Sequence, residues 1–132
     1  MSKITLKKKP KILMVEDDDF MSNILTRELT RAGLTHYSIV ARGEEALKEF
    51  KKYKPDIIVL DILLPGKSGL EALKDIRRTR GGKTIPVFIL TNYGNPEYRK
   101  IANELGVKDY LIKSNTLVSD LIQKIKEIEK IK

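Results

Sequence analysis

The chain has 132 residues, 41% of them hydrophobic and 33% charged, with no Cys, no Trp and a formal net charge of +8. That length suits one domain around one core, and the missing Cys excludes a disulfide scaffold and any thiolate metal site. The positive excess sits mostly at the start, because residues 12–114 hold 17 basic and 15 acidic residues.

Lys3, Lys7, Lys8, Lys9 and Lys11 precede the first apolar run with no acid among them. A basic arm can meet nucleic acid or anionic lipid. This one lacks the interleaved aromatic residues that stack on bases, and residues 1–10 are read as a solvated tail. Pro10, Lys11 and Glu16 cut short any export-signal core, and no apolar stretch approaches the ~20 residues of a spanning helix. A cytoplasmic protein without a membrane segment is expected.

From Lys11 onward, short apolar runs alternate with segments of helical period. Ile12-Leu13-Met14-Val15 is the first run. Met21, Ile24, Leu25, Leu29 and Ala32 then line one helix face, which Gly33 stops. Tyr37-Ser38-Ile39-Val40 follows, and Ala46, Leu47 and Phe50 mark a second helix, with Pro55 beyond its end. Ile57-Ile58-Val59-Leu60 leads to a third helix through Leu70, Leu73 and Ile76, stopped by Gly81-Gly82. Val87-Phe88-Ile89-Leu90 leads to a fourth through Ile101, Ala102 and Leu105, stopped by Gly106. The last run is 107–112, and Val118, Leu121, Ile122, Ile125 and Ile128 mark the closing helix. Three runs are continuous and aliphatic or aromatic, as expected of strands covered on both faces. The second and fifth contain polar residues and fit the sheet's edges. The pattern predicts an open parallel α/β sheet with helices on both faces, binding its ligand at the carboxyl ends of the strands.

The residues just after each run therefore matter most. They are Glu16-Asp17-Asp18-Asp19 after the first, Asp61 after the third, Thr91 after the fourth and Lys113 after the fifth. Asp18 and Asp19, taken alone, read as acids of a helix start. Converging carboxylates repel one another unless a cation neutralises them. Hard oxygen ligands with room for water suit Mg²⁺. Zinc is disfavoured, because there is no Cys and the single His, His36, reads as an ordinary edge-strand residue. Lys113 as a point charge and Thr91 as a hydroxyl donor would suit a phosphoryl group.

From Lys11 to about Ile128 the sequence resembles the receiver domain of two-component response regulators. The matching residues are the acidic pair in Val15-Glu16-Asp17, the motif Asp61-x-x-Leu64-Pro65-x-x-x-Gly69, Thr91, and Tyr110-Leu111-Ile112-Lys113. The resemblance implies a flavodoxin-like, doubly wound sheet of five parallel strands in the order 2-1-3-4-5 with five helices, over residues 11–132. It implies Asp61 as phosphoryl acceptor. Mg²⁺ would be held by Asp17, Asp61 and the main-chain carbonyl of Leu63 directly, and by Glu16 through water. Lys113 and Thr91 would serve the phosphoryl group, and Thr91 with Tyr110 would form the switch. The face of the fourth helix, fifth strand and fifth helix would then change for a downstream protein target. The donor would be a histidine kinase or histidine phosphotransfer protein. Because the chain closes with its fifth helix, a stand-alone receiver without a DNA-binding domain is expected, a phosphorylated switch rather than an enzyme. The alternative is a receiver-like interaction module that works without phosphorylation.

Some positions depart from the family's pattern. Ser114 follows Lys113 where Pro is usual and often cis; a Lys–Ser cis bond would cost about 3 kcal/mol, so the bond is read as trans, which leaves the lysine's aim open. Asn92 stands where a small residue is usual, and would either narrow access or hydrogen-bond within the site. Leu64 replaces the more usual Met, a tolerable core exchange. Leu63 and Tyr93 fall at positions that influence hydrolysis; neither can orient a water, so slow loss of phosphate is expected. Gly82-Lys83-Thr84 echoes a phosphate-binding loop, but Arg77 occupies the required earlier glycine position and the segment precedes a strand.

Overall fold

A computed structural model describes residues 9–131, so the arm's lysines up to Lys8 lie outside the described residues. Its strands are β1 (Ile12–Val15), β2 (Tyr37–Val40), β3 (Ile57–Leu60), β4 (Val87–Thr91) and β5 (Asp109–Ile112). They pair in parallel in the order β2-β1-β3-β4-β5. The helices are α1 (Asp19–Arg31), α2 (Gly43–Tyr53), α3 (Gly69–Arg77), α4 (Pro96–Glu104) and α5 (Val118–Ile131). The flavodoxin-like, doubly wound expectation holds.

Successive strand residues face opposite sides of a sheet, which explains the continuous apolar runs. Leu13, Val15, Ile58, Leu60, Val87 and Ile89 share one core layer with Ala46, Phe50, Leu73 and Ala102. Ile12, Met14, Ile57, Val59, Phe88 and Leu90 share the other with Leu25, Leu29, Leu121 and Ile125. The edge strands β2 and β5 are only half-buried, as their polar residues foretold.

Helix starts follow capping chemistry. Asp18 accepts from the Phe20 amide at 3.0 Å ahead of α1, confirming the capping reading. Ser68 and Glu71 form a reciprocal capping box on α3. Asn95 caps α4, whose first residue is Pro96.

Two boundaries differ from the sequence reading. β5 begins at Asp109 rather than 107, because positive-φ Gly106 ends the α4 turn and pairing resumes only where the Lys108 amide meets the Val87 carbonyl. α3 ends at Arg77, ahead of Gly81-Gly82, because the Thr79 hydroxyl donates to the Ile76 carbonyl and accepts from the Gly82 amide. A Cβ on Gly82 would sit 2.0 Å from the Ile76 carbonyl oxygen, so the turn needs glycine there.

Arg77 closes the end of the sheet opposite the carboxyl edge. Its guanidinium donates to the carbonyls of Leu105 (2.8 Å), Gly106 (3.3 Å), Gly82 (3.0 Å) and Ile85 (2.7 Å), tying α3 to the end of α4 and to the approach to β4. Burial pulls this group below its ordinary pKa. Among the described residues, no helix is long and apolar enough to cross a membrane.

Candidate functional site

Parallel register assembles the site. Val15 pairs with Leu60, so the next residues, Glu16 and Asp61, emerge side by side. The Asp61 amide donates to the Val15 carbonyl at 3.0 Å, which fixes the two strand ends together. Glu16 and Asp61 are buried, at 4% and 6% exposure, while Asp17 opens to solvent. Carboxylate oxygens of these three residues lie within 4.8 Å of one another.

Lys113 answers them from β5's end. Its Nζ lies 2.9 Å from Glu16 Oε1 and 2.9 Å from Asp61 Oδ2. The remaining oxygens are partly met, Asp61 Oδ1 by the Ile62 amide at 2.7 Å and Glu16 Oε2 by the Asp18 amide at 3.1 Å. Burial pushes the Glu16 carboxyl above its ordinary pKa, although Lys113 and the Asp18 amide oppose this. Burial lowers the Lys113 ammonium, but hydrogen bonds to Glu16 and Asp61 outweigh that and hold it above its ordinary value.

One lysine against three carboxylates leaves an excess of negative charge in a site open on the Asp17 side. All the donors are oxygens, and the exposed Leu63 follows close behind Asp61, its carbonyl accepting no hydrogen bond among the described residues. Two or three carboxylates, a spare carbonyl and solvent access match the preference of Mg²⁺ for hard ligands and retained water. His36 is exposed, and among the described residues it is engaged only through its main-chain carbonyl, which accepts from the Ile12 amide at 3.0 Å.

Beside this cluster, Thr91 is fully buried and its hydroxyl oxygen accepts from the Tyr93 amide at 3.3 Å. The Tyr110 hydroxyl donates to the Tyr93 carbonyl, and the Arg99 guanidinium lies 4.7 Å from the centre of the Tyr110 ring. Thr91 and Tyr110 thus both engage the main chain of Tyr93.

Residues 12–126 match the family model described as the response regulator receiver domain. The chain belongs to the response regulator receiver domain family. This receiver is similar to the transcriptional regulatory protein AfsQ1 of Streptomyces coelicolor, 38% identical over 79% of this chain and 44% of that protein. It therefore spans less than half of that relative's length. It is also similar to the chemotaxis protein CheY of Halobacterium salinarum, 32% identical over 77% of this chain and 82% of that one. Among solved structures, the receiver domain of a sensor histidine kinase from Pseudomonas aeruginosa superposes with a TM-score of 0.81 at 25% identity, covering 93% of this chain and 99% of that one; it holds a magnesium ion in its active-site cleft.

The departures noted in the sequence now have places in the receiver. All described peptide bonds are trans, and a 3₁₀ turn over Lys113–Asn115 carries the chain past Ser114. Past this turn the lysine reaches both acids. Asn92 is exposed, as are Leu63 at 53% and Tyr93 at 39%.

Sequence reasoning overlooked some of what holds the site. Gly69 appeared only as a motif letter, yet a Cβ there would sit 1.9 Å from the Asp61 carbonyl oxygen, so helix α3 packs on Asp61's own peptide. Arg99 was missed because a surface arginine on a helix carries no signal of the ring it covers.

Proposed function

We propose that the protein is a phosphoacceptor switch in two-component signalling, modified on Asp61. A carboxylate oxygen of Asp61 attacks the phosphorus of a phosphohistidine on a kinase or phosphotransfer protein; an O–P bond forms, the N–P bond breaks, and the imidazole leaves. Such transfer asks the protein for positioning and charge neutralisation rather than elaborate covalent chemistry. The observation that carries this reading is Lys113 Nζ placed equally, at 2.9 Å, between Glu16 and Asp61 at the sheet's carboxyl edge.

Glu16, Asp17, Asp61 and the Leu63 carbonyl would hold Mg²⁺. When bound, the ion neutralises the carboxylates and the incoming phosphoryl oxygens. Lys113 gives one phosphoryl oxygen a charged hydrogen bond. Thr91 accepts from the Tyr93 amide, which leaves its own proton free for another phosphoryl oxygen. Drawing Thr91 toward the phosphoryl group disturbs Tyr93, and with it Tyr110 and the α4–β5–α5 face offered to a downstream protein. On this reading the protein works in the cytoplasm and is a switch more than an enzyme.

Incubation with acetyl phosphate and Mg²⁺ is expected to add one phosphoryl group, and borohydride trapping with peptide mapping is expected to place it on Asp61. A label on any other residue contradicts the reading. Leu63 and Tyr93 occupy the two positions that influence hydrolysis in this family and carry no amide or acid to orient water, so the phosphorylated form is expected to outlast minutes. Decay within seconds in Mg²⁺, followed by mass, would contradict that expectation.

A further inference from the structure

The loop that carries Leu63, residues 61–68, is gripped by helix α2. Gly43, the first residue of α2, lies so close that a Cβ on it would sit 1.7 Å from the Lys67 carbonyl oxygen. Gly66 has φ +75°, and a Cβ there would sit 2.2 Å from Glu44 Oε1. The same Oε1 accepts from the Lys67 main-chain amide at 3.3 Å. The other oxygen, Oε2, is held by Arg42 Nε and Nη2, each at 2.7 Å. Glu44 thus spends one oxygen on its own helix start and the other on the loop. Lys67 is fastened again by its Nζ, which pairs with Asp75 of α3. At the loop's base, the Gly69 amide donates to the Ile62 carbonyl at 2.8 Å.

We propose that Glu44 is a positioning residue for the divalent cation: by holding the Lys67 amide it sets the loop, and through the loop the Leu63 carbonyl. This rests on the metal reading of the Asp61 site. Leu63, Pro65 and Gly66 are exposed, so side-chain burial does not hold this part of the loop, and its ties to α2 and α3 do. Ordering a backbone residue carries an entropic cost. A loop already tethered bears that cost before the cation arrives, so its carbonyl binds more tightly. Removing a partner in direct contact with a metal ligand typically weakens affinity 10–100-fold; Glu44 acts at the distance of several loop residues, so about 3- to 10-fold is expected.

The test is a Mg²⁺ titration of wild type, E44A, E44Q and E45A, followed by amide chemical shifts, which also report whether each variant is folded. E44A is expected to weaken Mg²⁺ binding about 3- to 10-fold and to speed hydrogen exchange at the Lys67 amide. E44Q keeps an oxygen acceptor, and E45A removes an equal charge from the same exposed turn; both are expected to stay within about twofold of wild type. Unchanged affinity in E44A overturns the proposal. Equal losses in all three variants also overturn it, because they mark a general effect of charge. A wild type that binds no Mg²⁺ overturns the metal reading itself, and the proposal with it.

Discussion

Lys113→Ala is expected to cost the metal-free protein about 3 kcal/mol of stability and to gain more from added Mg²⁺ than wild type does. The Lys113, Glu16 and Asp61 side chains are 10%, 4% and 7% exposed. Among the described residues Lys113 is the one cation paired with these acids, so removing it leaves two buried carboxylates facing each other. Breaking a buried pair in this way typically costs about 3–5 kcal/mol; the open side at Asp17 and proton uptake by Glu16 place the loss at the low end. For a domain of this length the loss corresponds to a fall of about 10 °C in Tm.

The pH dependence has a definite sign. Lys113 is held above its ordinary value of 10.5 by its partners. Its stabilisation is therefore fully present below 10.5 and fades only as pH climbs through the higher folded value. Glu16 is raised above 4.5 by burial, so its ionisation costs stability as pH rises from 4.5 through that raised value. The gap between wild type and Lys113→Ala should thus be widest near neutrality and narrow in acid. Thermal unfolding in EDTA and in Mg²⁺ across pH measures all of this. An unchanged Tm in EDTA would show that the lysine does not neutralise the pair.

Arg77→Ala is expected to destabilise the fold by about 3 kcal/mol while leaving Mg²⁺ binding intact. Hydrogen bonds from a charged donor contribute about 1.5–3 kcal/mol each, and carbonyls left unmet in a half-buried place add a desolvation cost. Some of the four carbonyls that Arg77 meets would regain water, which keeps the total well below the sum. Arg77→Lys should recover little, since a single ammonium cannot reproduce the guanidinium's planar fork. Urea unfolding with a parallel Mg²⁺ titration separates the effects. Lost metal affinity with unchanged stability would be the contrary result, because Arg77 sits at the opposite end of the sheet from the acids.

Much of this architecture is legible in the sequence because burial on two faces and burial on one leave different patterns. The runs at Ile12, Ile57 and Val87 lack polar breaks because both of their faces are covered. The runs at Tyr37 and Tyr110 carry polar residues because they are edges. The site is legible for a related reason: parallel register carries Glu16, Asp61, Thr91 and Lys113 to one edge, so their positions after the runs already imply convergence. Contacts between elements were not legible. Nothing in Gly43-Glu44 announces a partner at Lys67, and nothing in Arg77 announces four carbonyls on other segments. The effect of Ser114 is not legible in the sequence because the consequence of replacing proline depends on the three-dimensional path; here a 3₁₀ turn carries the lysine to both acids.

On the proposed function, Asp61 is a metal-dependent phosphoryl acceptor. Intact mass after incubation with acetyl phosphate tests it most directly, comparing wild type in Mg²⁺, wild type in excess EDTA, and Asp61→Asn in Mg²⁺. One phosphoryl adduct is expected in the first sample and none in the other two. An adduct of equal yield in Asp61→Asn, or one indifferent to EDTA, would contradict the account.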